Sequence, residues 1–184
     1  MVGGRLGFLS RVANKENMLA AAQEILREEK QWLLNQCGLI PDFDDDVMDE
    51  QKWSAGAFLL IQALVKQEQE DLELEKQHDI SLVDHNIPSL SQHLCRRIMT
   101  RADLLERLDQ CNIIAIDTES DVRASSVPMM RAFREICAEQ VFDEMLKNVL
   151  DRISEVESLG RTREIVFKDM KGRGGSVKAT IVVD

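Results

Sequence analysis

The 184-residue chain lacks a cluster of basic residues that could offset its acidic side chains. It has 33 aspartate and glutamate residues against 23 lysine and arginine residues, which gives a formal net charge of -10. The acidic surplus lies in residues 42–50 and 68–79. Because a phosphate backbone is bound by clustered Lys and Arg, this balance argues against general affinity for nucleic acid or an anionic membrane, unless a local basic patch overrides it.

The sequence also lacks the common motifs of catalysis and metal binding. It contains no G-x-x-x-x-G-K-[ST], no H-E-x-x-H and no G-x-S-x-G, and its three histidines are scattered. The acidic run 42–46 is not an EF-hand, since Val47 and Trp53 stand where that loop needs Gly and Glu. We therefore expect no catalytic residues, no metal site and a solvated loop at this run. A small enzyme whose residues meet only in space stays as the weakest hypothesis.

The cysteines form no C-x-x-C pair, and no apolar run is long enough to cross a membrane. The four thiols are widely spaced in helix-like apolar settings: Cys37, Cys95, Cys111 and Cys137. They predict reduced, buried thiols in an intracellular protein. The longest apolar stretch, residues 55–65, is about half the roughly 20 residues needed to span a bilayer, and no secretory leader is visible. We expect a soluble chain without a membrane partner, in the cytoplasm, nucleus or mitochondrion.

The residues that are present predict a mainly α fold. Residues 14–37 repeat apolar side chains on one face, with Asn14 or Asn17 as the N-cap and with Gly38 and Pro41 after the C-terminus. Behind the acidic loop, apolar residues recur at spacings of four, three and four in a second helix that runs to about Glu75: Trp53, Ala57, Leu60 and Leu64.

From Trp53 to Ser125 the order of predicted elements is that of a winged helix. The second helix is followed by a helix over 89–99, a helix over 100–111 with Thr100 as N-cap, and strands over 113–117 and 122–125. The third helix stands in the position that reads DNA in helix-turn-helix proteins, and the two strands form the wing.

The last part of the sequence predicts a long helix and a β-hairpin. The helix runs from Ser126 to about Leu159 and ends at Gly160, and its apolar repeat is expected to pack on the domain or on a partner helix: Phe142, Leu146, Val149, Ile153 and Val156. Strands over 163–169 and 177–184 flank a turn whose tip, 171–175, could contact an anion through Lys171 and Arg173.

The charge of the third helix bears on what this winged helix contacts. Arg101 and Arg107 stand against Asp103, Glu106 and Asp109, a net charge of about -1 that would repel phosphates. The local counterweight consists of three other arginines: Arg96, Arg97 and Arg123. A protein-contacting winged helix is therefore favoured over a DNA reader.

Four segments carry a family resemblance: VGGRLGFLSRVA, a helix ending EKQWLLNQCGLIPD, then DLLERLDQCNIIAID and SSVPMMRAF. In this order they resemble the C-terminal part of fungal P-loop ATPases of the AAA+ class, broadly similar to archaeal-type ATPases and to a mitochondrial escape protein. The resemblance covers about residues 2–135. It implies a helical lid over 1–45 and a winged-helix domain over 46–135, with the long helix and hairpin over 136–184.

The resemblance also implies roles for the N-terminal residues. Gly3 and Gly4 match the turn that joins an ATPase core to its lid, and Arg5 would sense the nucleotide. The motifs of that core are not in this sequence, so no cofactor is expected in this chain, and ATP and Mg²⁺ are implied only for a parent ATPase.

Two functional hypotheses follow from the residues and the resemblance. The first is a non-catalytic lid and winged-helix module that couples nucleotide state to a protein partner or a neighbouring subunit, with Arg96, Arg97 and the helix from Thr100 as a docking face. The alternative is a nucleic-acid-binding winged helix that places five arginines on phosphates: Arg96, Arg97, Arg101, Arg107 and Arg123.

Overall fold

A computed structural model of the chain describes residues 3–78 and 87–170, with side chains described for 3–74 and 87–159. In chain order the helices and strands are α1 Leu6–Ala13, α2 Met18–Gln36, α3 Met48–His78, β1 Ser89–Ser91, α4 Gln92–Met99, α5 Ala102–Gln110, β2 Ile114–Ile116, β3 Asp121–Ala124, α6 Val127–Cys137 and α7 Phe142–Met170. A 3-10 turn at Asp45–Val47 precedes α3. The prediction of a mainly α winged-helix fold is confirmed.

The small sheet has three antiparallel strands in the order β1-β3-β2. Leu90 lies opposite Val122, and Ile114 lies opposite Ala124. The prediction that residues 89–99 form one helix is wrong at its start, because 89–91 pair with β3 and only 92–99 are helical. Three residues with a single buried Leu90 are too few to show strand alternation in a sequence.

The corner between α4 and α5 differs from the predicted capping. Thr100 does not cap α5; it is the C-cap of α4 and has a left-handed backbone with φ 62°. Arg101 holds the N-cap position of α5 without a side-chain cap bond. Asn112, at φ 57°, follows α5 and turns the chain toward β2.

The N-terminal helices are separate elements. Asn17 caps α2, since its side chain accepts a hydrogen bond from the Ala20 N–H at 3.0 Å. Of the two predicted N-caps, Asn17 is confirmed, so the helix begins at Met18, and Asn14 instead ends α1.

The C-terminal prediction needs two corrections. The single helix predicted over 126–159 is two helices, because the chain turns at 138–141 and the Phe142 ring then meets Phe58 edge-on at 5.2 Å between centroids. Gly160 does not end α7, which continues to Met170, so the strand predicted over 163–169 is wrong. One glycine costs a helix interior only about 1 kcal/mol, which the rest of α7 can absorb. The predicted strand 177–184 and the tip 171–175 lie outside the described residues.

A continuous apolar core surrounds α3. Its buried members come mainly from six helices and the three strands, and they include Leu33, Cys37, Trp53, Phe58, Leu60, Leu64, Leu105, Leu108, Phe133, Leu146 and Val149. The predicted apolar repeat of α7 packs on the domain: Phe142, Leu146, Val149 and Val156 are buried, and Ile153 is half-buried. Leu33 of α2 and Cys37, directly after α2, belong to the same core as the winged helix.

Candidate functional site

The two arginines of α5 are engaged by side chains of this chain. Arg101 holds Asp103 with two hydrogen bonds, Nε to Oδ1 at 3.1 Å and Nη2 to Oδ2 at 2.6 Å, and this pairing lowers the pKa of Asp103. Arg107 lies 3.8 Å above the Trp53 ring and 3.5 Å from a Glu50 oxygen. A guanidinium stacked on an indole and paired with a carboxylate is poorly placed to bind phosphate.

The other three predicted arginines lie on different elements. Arg96 and Arg97 are exposed in the last turn of α4, where positive charge also complements the helix dipole. Within the described residues neither makes an ion pair. Arg123 is half-buried on the central strand β3, opposite Ser89 and Ala115.

The N-terminal glycines differ from each other in their surroundings. Gly3 has φ +67°, and a Cβ built there would lie 2.7 Å from Val127 Cγ2 at the start of α6. Gly4 is exposed with open space around it. Arg5 is exposed at the N-cap position of α1, with its guanidinium 5.9 Å from the Phe8 ring centroid. The turn therefore packs on the winged-helix body, while the predicted nucleotide role of Arg5 stays a prediction.

Polar contacts join α2 to the winged-helix body. The Lys30 ammonium lies 3.6 Å from Glu135, in the last turn of α6, and 3.0 Å from Glu139, just after that helix. At the other end of α6, the buried Ser126 hydroxyl donates to Glu29 at 3.0 Å. Sequence reasoning did not find these contacts, because the partners are 97 to 109 residues apart and no local pattern marks them.

A further polar contact joins α2 to the end of α5. The indole N–H of Trp32 donates to the carbonyl of Cys111, directly after α5, at 2.9 Å. We name the contacts of Glu29, Lys30 and Trp32 the α2 junction. It holds one face of α2 against α6 and against the end of the recognition-position helix.

A cleft of about 800 Å³ opens at the corner between α4 and α5. It is bounded by the first turns of α3, by that corner and by α7, and we name it the corner cleft. Its apolar lining consists of Ala55, Gly56, Leu59, Ile98, Met99, Leu104, Leu150 and Ile153. Its charged rim consists of Asp46, Asp49, Glu50, Lys52, Arg101, Asp103, Arg107 and Glu157. Of these residues, sequence reasoning singled out the α5 charges but not the cleft.

The thiols lie mostly inside the fold. All four cysteines are free, with Cys37 and Cys95 buried and Cys111 and Cys137 half-buried. Burial raises the pKa of Cys37 to about 12 and the pKa of Cys95 to about 11. Thiols this hard to ionise are poor nucleophiles and poor metal ligands.

The described residues contain neither a metal-binding group of side chains nor a membrane-spanning helix. No group of three or more His, Cys, Asp or Glu side chains there could hold a metal ion. Over the same part of the chain, no helix combines the length and apolar character that spanning a membrane requires.

Comparison with known proteins gives one match. The family model described as fungal AAA protein, C-terminal winged helix domain, matches residues 34–157, which is more than half of the chain. No curated protein and no solved structure matches. The matched range runs from the end of α2 into α7, and so contains the complete helix and strand order of the winged helix.

Proposed function

Because this chain belongs to the family of fungal AAA protein C-terminal winged-helix domains, we propose that it is a non-catalytic module that couples nucleotide state to a protein partner or a neighbouring subunit. In this proposal ATP and Mg²⁺ bind to an ATPase core, and α1 and α2 serve as its lid. The winged helix carries the movement of the lid to a protein-contacting surface.

The α2 junction is the observation that supports coupling. A lid helix can transmit movement only if it is attached to the element that responds. Here α2 holds both ends of α6 through Glu29 and Lys30, and it holds the end of α5 through Trp32. Because Leu33 and Cys37 also enter the common core, rotation of α2 would carry the winged helix with it.

The surface of α1 supports contact with a further domain. None of its residues is buried, and Leu6 is 83% exposed beside the half-exposed Leu9. Apolar side chains on one exposed helix are typical of a surface that another protein part covers. In the proposal that part is the ATPase core, and Arg5 at the start of α1 lies near its nucleotide.

The engaged arginines weigh against the nucleic-acid alternative. Arg101 and Arg107, which would read the major groove from α5, already contact Asp103, Glu50 and Trp53. Arg96 and Arg97, on the neighbouring helix, are exposed and make no ion pair within the described residues. Two phosphate contacts give much weaker binding than the six to ten of typical DNA-binding proteins.

Coupling is tested in a polypeptide that joins these residues to an ATPase core. We expect Lys30→Ala to change ATP turnover or nucleotide affinity about 3- to 10-fold, because it loosens α2 from α6. The matched control is Lys66→Ala, which removes an exposed lysine whose described ion pair, with Glu70, lies within α3. Wild-type values for Lys30→Ala and for Glu29→Ala, in chains of normal helix content, would contradict coupling through the α2 junction.

The role of Arg5 is tested in the same polypeptide. We expect Arg5→Ala to weaken nucleotide binding or to slow turnover, because a cation near the phosphates is removed. Lys15→Ala, which removes an exposed cation just after α1, is the control. Unchanged affinity and turnover would remove the role of Arg5 without affecting the assignment of the fold.

The nucleic-acid alternative is tested with this chain alone. Fluorescence anisotropy of a labelled DNA duplex of about 20 base pairs would be followed in about 20 mM and about 150 mM NaCl. We expect no binding at either salt concentration. Binding at low salt that weakens steeply at the higher concentration, and that Arg96→Ala with Arg97→Ala abolishes, would favour the nucleic-acid function instead.

A further inference from the structure

The corner cleft has the shape and lining of a binding groove. Its volume of about 800 Å³ lies within the usual range of ligand sites, and helices α3, α4, α5 and α7 form its walls. Half-buried Leu59, Ile98 and Leu104 give the groove an apolar lining that is still accessible. Helices α3 and α4 approach closely beneath it, since a Cβ on Gly56 would lie 3.3 Å from the Met99 sulfur.

The rim of the cleft has a surplus of negative charge. Five carboxylates stand against three cationic side chains around it. Each cation already meets a carboxylate of the rim, with Lys52 at 2.8 Å from Glu157, Arg101 at 2.6 Å from Asp103 and Arg107 at 3.5 Å from Glu50. This pairing leaves the negative charges of Asp46 and Asp49 in excess. Asp49 lies 4.0 Å from Lys52, but Lys52 is closer to Glu157, so Asp49 is only partly neutralised.

The backbone at the mouth of the cleft is strained. Thr100 has φ 62°, a left-handed conformation that is unfavourable for a β-branched residue. The Thr100 hydroxyl donates a hydrogen bond to the backbone carbonyl of Met99 at 2.7 Å, and the Arg101 N–H donates to the same carbonyl at 2.8 Å. A conformation of this kind often lies at a binding site, where it fixes the direction of the neighbouring side chains.

We propose that the corner cleft binds a basic amphipathic segment of a partner protein. Apolar side chains of that segment would contact Leu59, Ile98 and Leu104, and its Lys or Arg side chains would meet Asp46 and Asp49. The charge of the rim disfavours a nucleic acid and an acidic partner, and it disfavours a second copy of this chain, whose net charge is -10. This inference rests on the proposed protein-contacting function and adds the chemistry of the partner.

The probe is a synthetic helical peptide of about 14 residues with leucines on one face and lysines on the other. Its binding to the ¹⁵N-labelled chain is followed by NMR, and its affinity by anisotropy of a labelled copy. The largest shifts are expected at the amides of Gly56, Thr100 and Arg101. Two further peptides, one with alanine in place of leucine and one with glutamate in place of lysine, are expected to bind at least about tenfold more weakly, because each lacks one half of the recognition.

Two double variants, each of which removes two carboxylate charges, distinguish binding at the corner cleft from general attraction of the peptide to an acidic protein. Asp46→Asn with Asp49→Asn is expected to weaken peptide binding about 3- to 30-fold. Glu70→Gln with Glu73→Gln, on the exposed distal part of α3, is expected to change it less than about twofold, because these charges lie away from the cleft.

Several results would overturn the inference. Equal binding of the alanine peptide would show attraction by charge alone, and equal weakening by the two double variants would show that the cleft has no special part. Shifts of the same amides as the concentration of the chain rises would assign the cleft to a second copy, and shifts caused by a DNA duplex would assign it to nucleic acid. None of these outcomes alters the turnover test of Lys30→Ala, so a failure of the cleft is distinguishable from a failure of coupling.

Discussion

Helices α1 and α3 use their apolar residues in opposite ways. In α1 no residue is buried, and Leu6 is 83% exposed. Between residues 53 and 65 of α3, by contrast, eight apolar side chains are buried: Trp53, Ala55, Ala57, Phe58, Leu60, Ile61, Leu64 and Val65. Both helices carry apolar side chains at helical spacing, so the sequence pattern alone does not tell which of them is buried by this chain.

The difference separates the part of the molecule that stabilises the fold from the part that is open to contact. Helix α3 lies at the centre of the core, and α2, α4, α5, α6 and α7 pack around it or around its neighbours. Helix α1 touches mainly α2, to which an Arg11–Glu28 ion pair holds it. We therefore expect changes in α3 to alter the free energy of unfolding and changes in α1 to alter contacts with other protein parts.

The sharpest test of this comparison is the same substitution in both helices. Leu60→Ala removes a side chain that is 0% exposed, and we expect a loss of about 2–5 kcal/mol in the free energy of unfolding. Leu6→Ala removes one that is 83% exposed, and we expect a change within about 0.5 kcal/mol. Urea denaturation followed by circular dichroism measures both. Similar losses from the two variants would contradict the division between the helices.

Thiol reactivity compares the two regions by a different property. Because burial raises the pKa of Cys37 from 9.0 to about 12, its thiolate fraction at pH 8 should be about a thousandfold lower than that of an exposed thiol. Leu6→Cys introduces an exposed thiol on α1 as the reference. Brief alkylation at pH 8 followed by peptide mass spectrometry should modify the new thiol and spare Cys37. Comparable labelling of both would show that the core around α2 and α3 opens readily.

Much of the winged helix could be predicted from local patterns. The apolar spacing from Trp53 to Leu64 and the β-branched residues within 113–117 predicted the order of the three helices and the wing, and the structure has that order. Short elements were missed, because Ser89–Ser91 contains one buried residue and no visible period. The strand predicted over 163–169 was wrong because Ile and Val favour strands only weakly when the chain around them is helical.

The surfaces could not be predicted in the same way. Lys30 and Glu139 are 109 residues apart, and the walls of the corner cleft come from helices α3, α4, α5 and α7. The sequence does give the charges of α5, but it does not show that Arg107 stacks on Trp53 rather than facing solvent. Contacts between distant segments depend on packing, for which a single sequence has no local signal.

The two N-terminal glycines offer a smaller test at the border between the regions. Gly3→Ala places a methyl group at φ +67° and 2.7 Å from Val127, so we expect it to destabilise the docking of this turn on α6 by about 1–3 kcal/mol. Gly4→Ala meets nothing within 4 Å and is expected to be neutral. Hydrogen exchange at the Val127 and Met129 amides measures the docking. Equal exchange in the two variants would show that the turn does not hold α1 near the winged helix.

The smallest expected effect concerns the ion pair that holds α1 on α2. Arg11 donates to both oxygens of Glu28, at 2.8 and 2.9 Å, and this hydrogen bonding lowers the pKa of Glu28 below its ordinary 4.5. A lowered pKa in the folded state means that the stabilisation is complete above about pH 4.5 and is lost as the pH falls through the lower value. Both side chains are about half exposed, so solvent screening limits the contribution to about 0.2–1 kcal/mol.

Arg11→Gln should therefore loosen α1 at pH 7 and remove the acid-dependent change of the Phe8 ring signals between pH 6 and about pH 3. Arg101→Gln, which breaks the pair with Asp103 inside the winged helix, should leave those signals unchanged. If α1 docked equally well at both ends of this pH range with Arg11 intact, the contact with α2 would have to be apolar, and α1 would resemble α3 more closely than its exposure indicates.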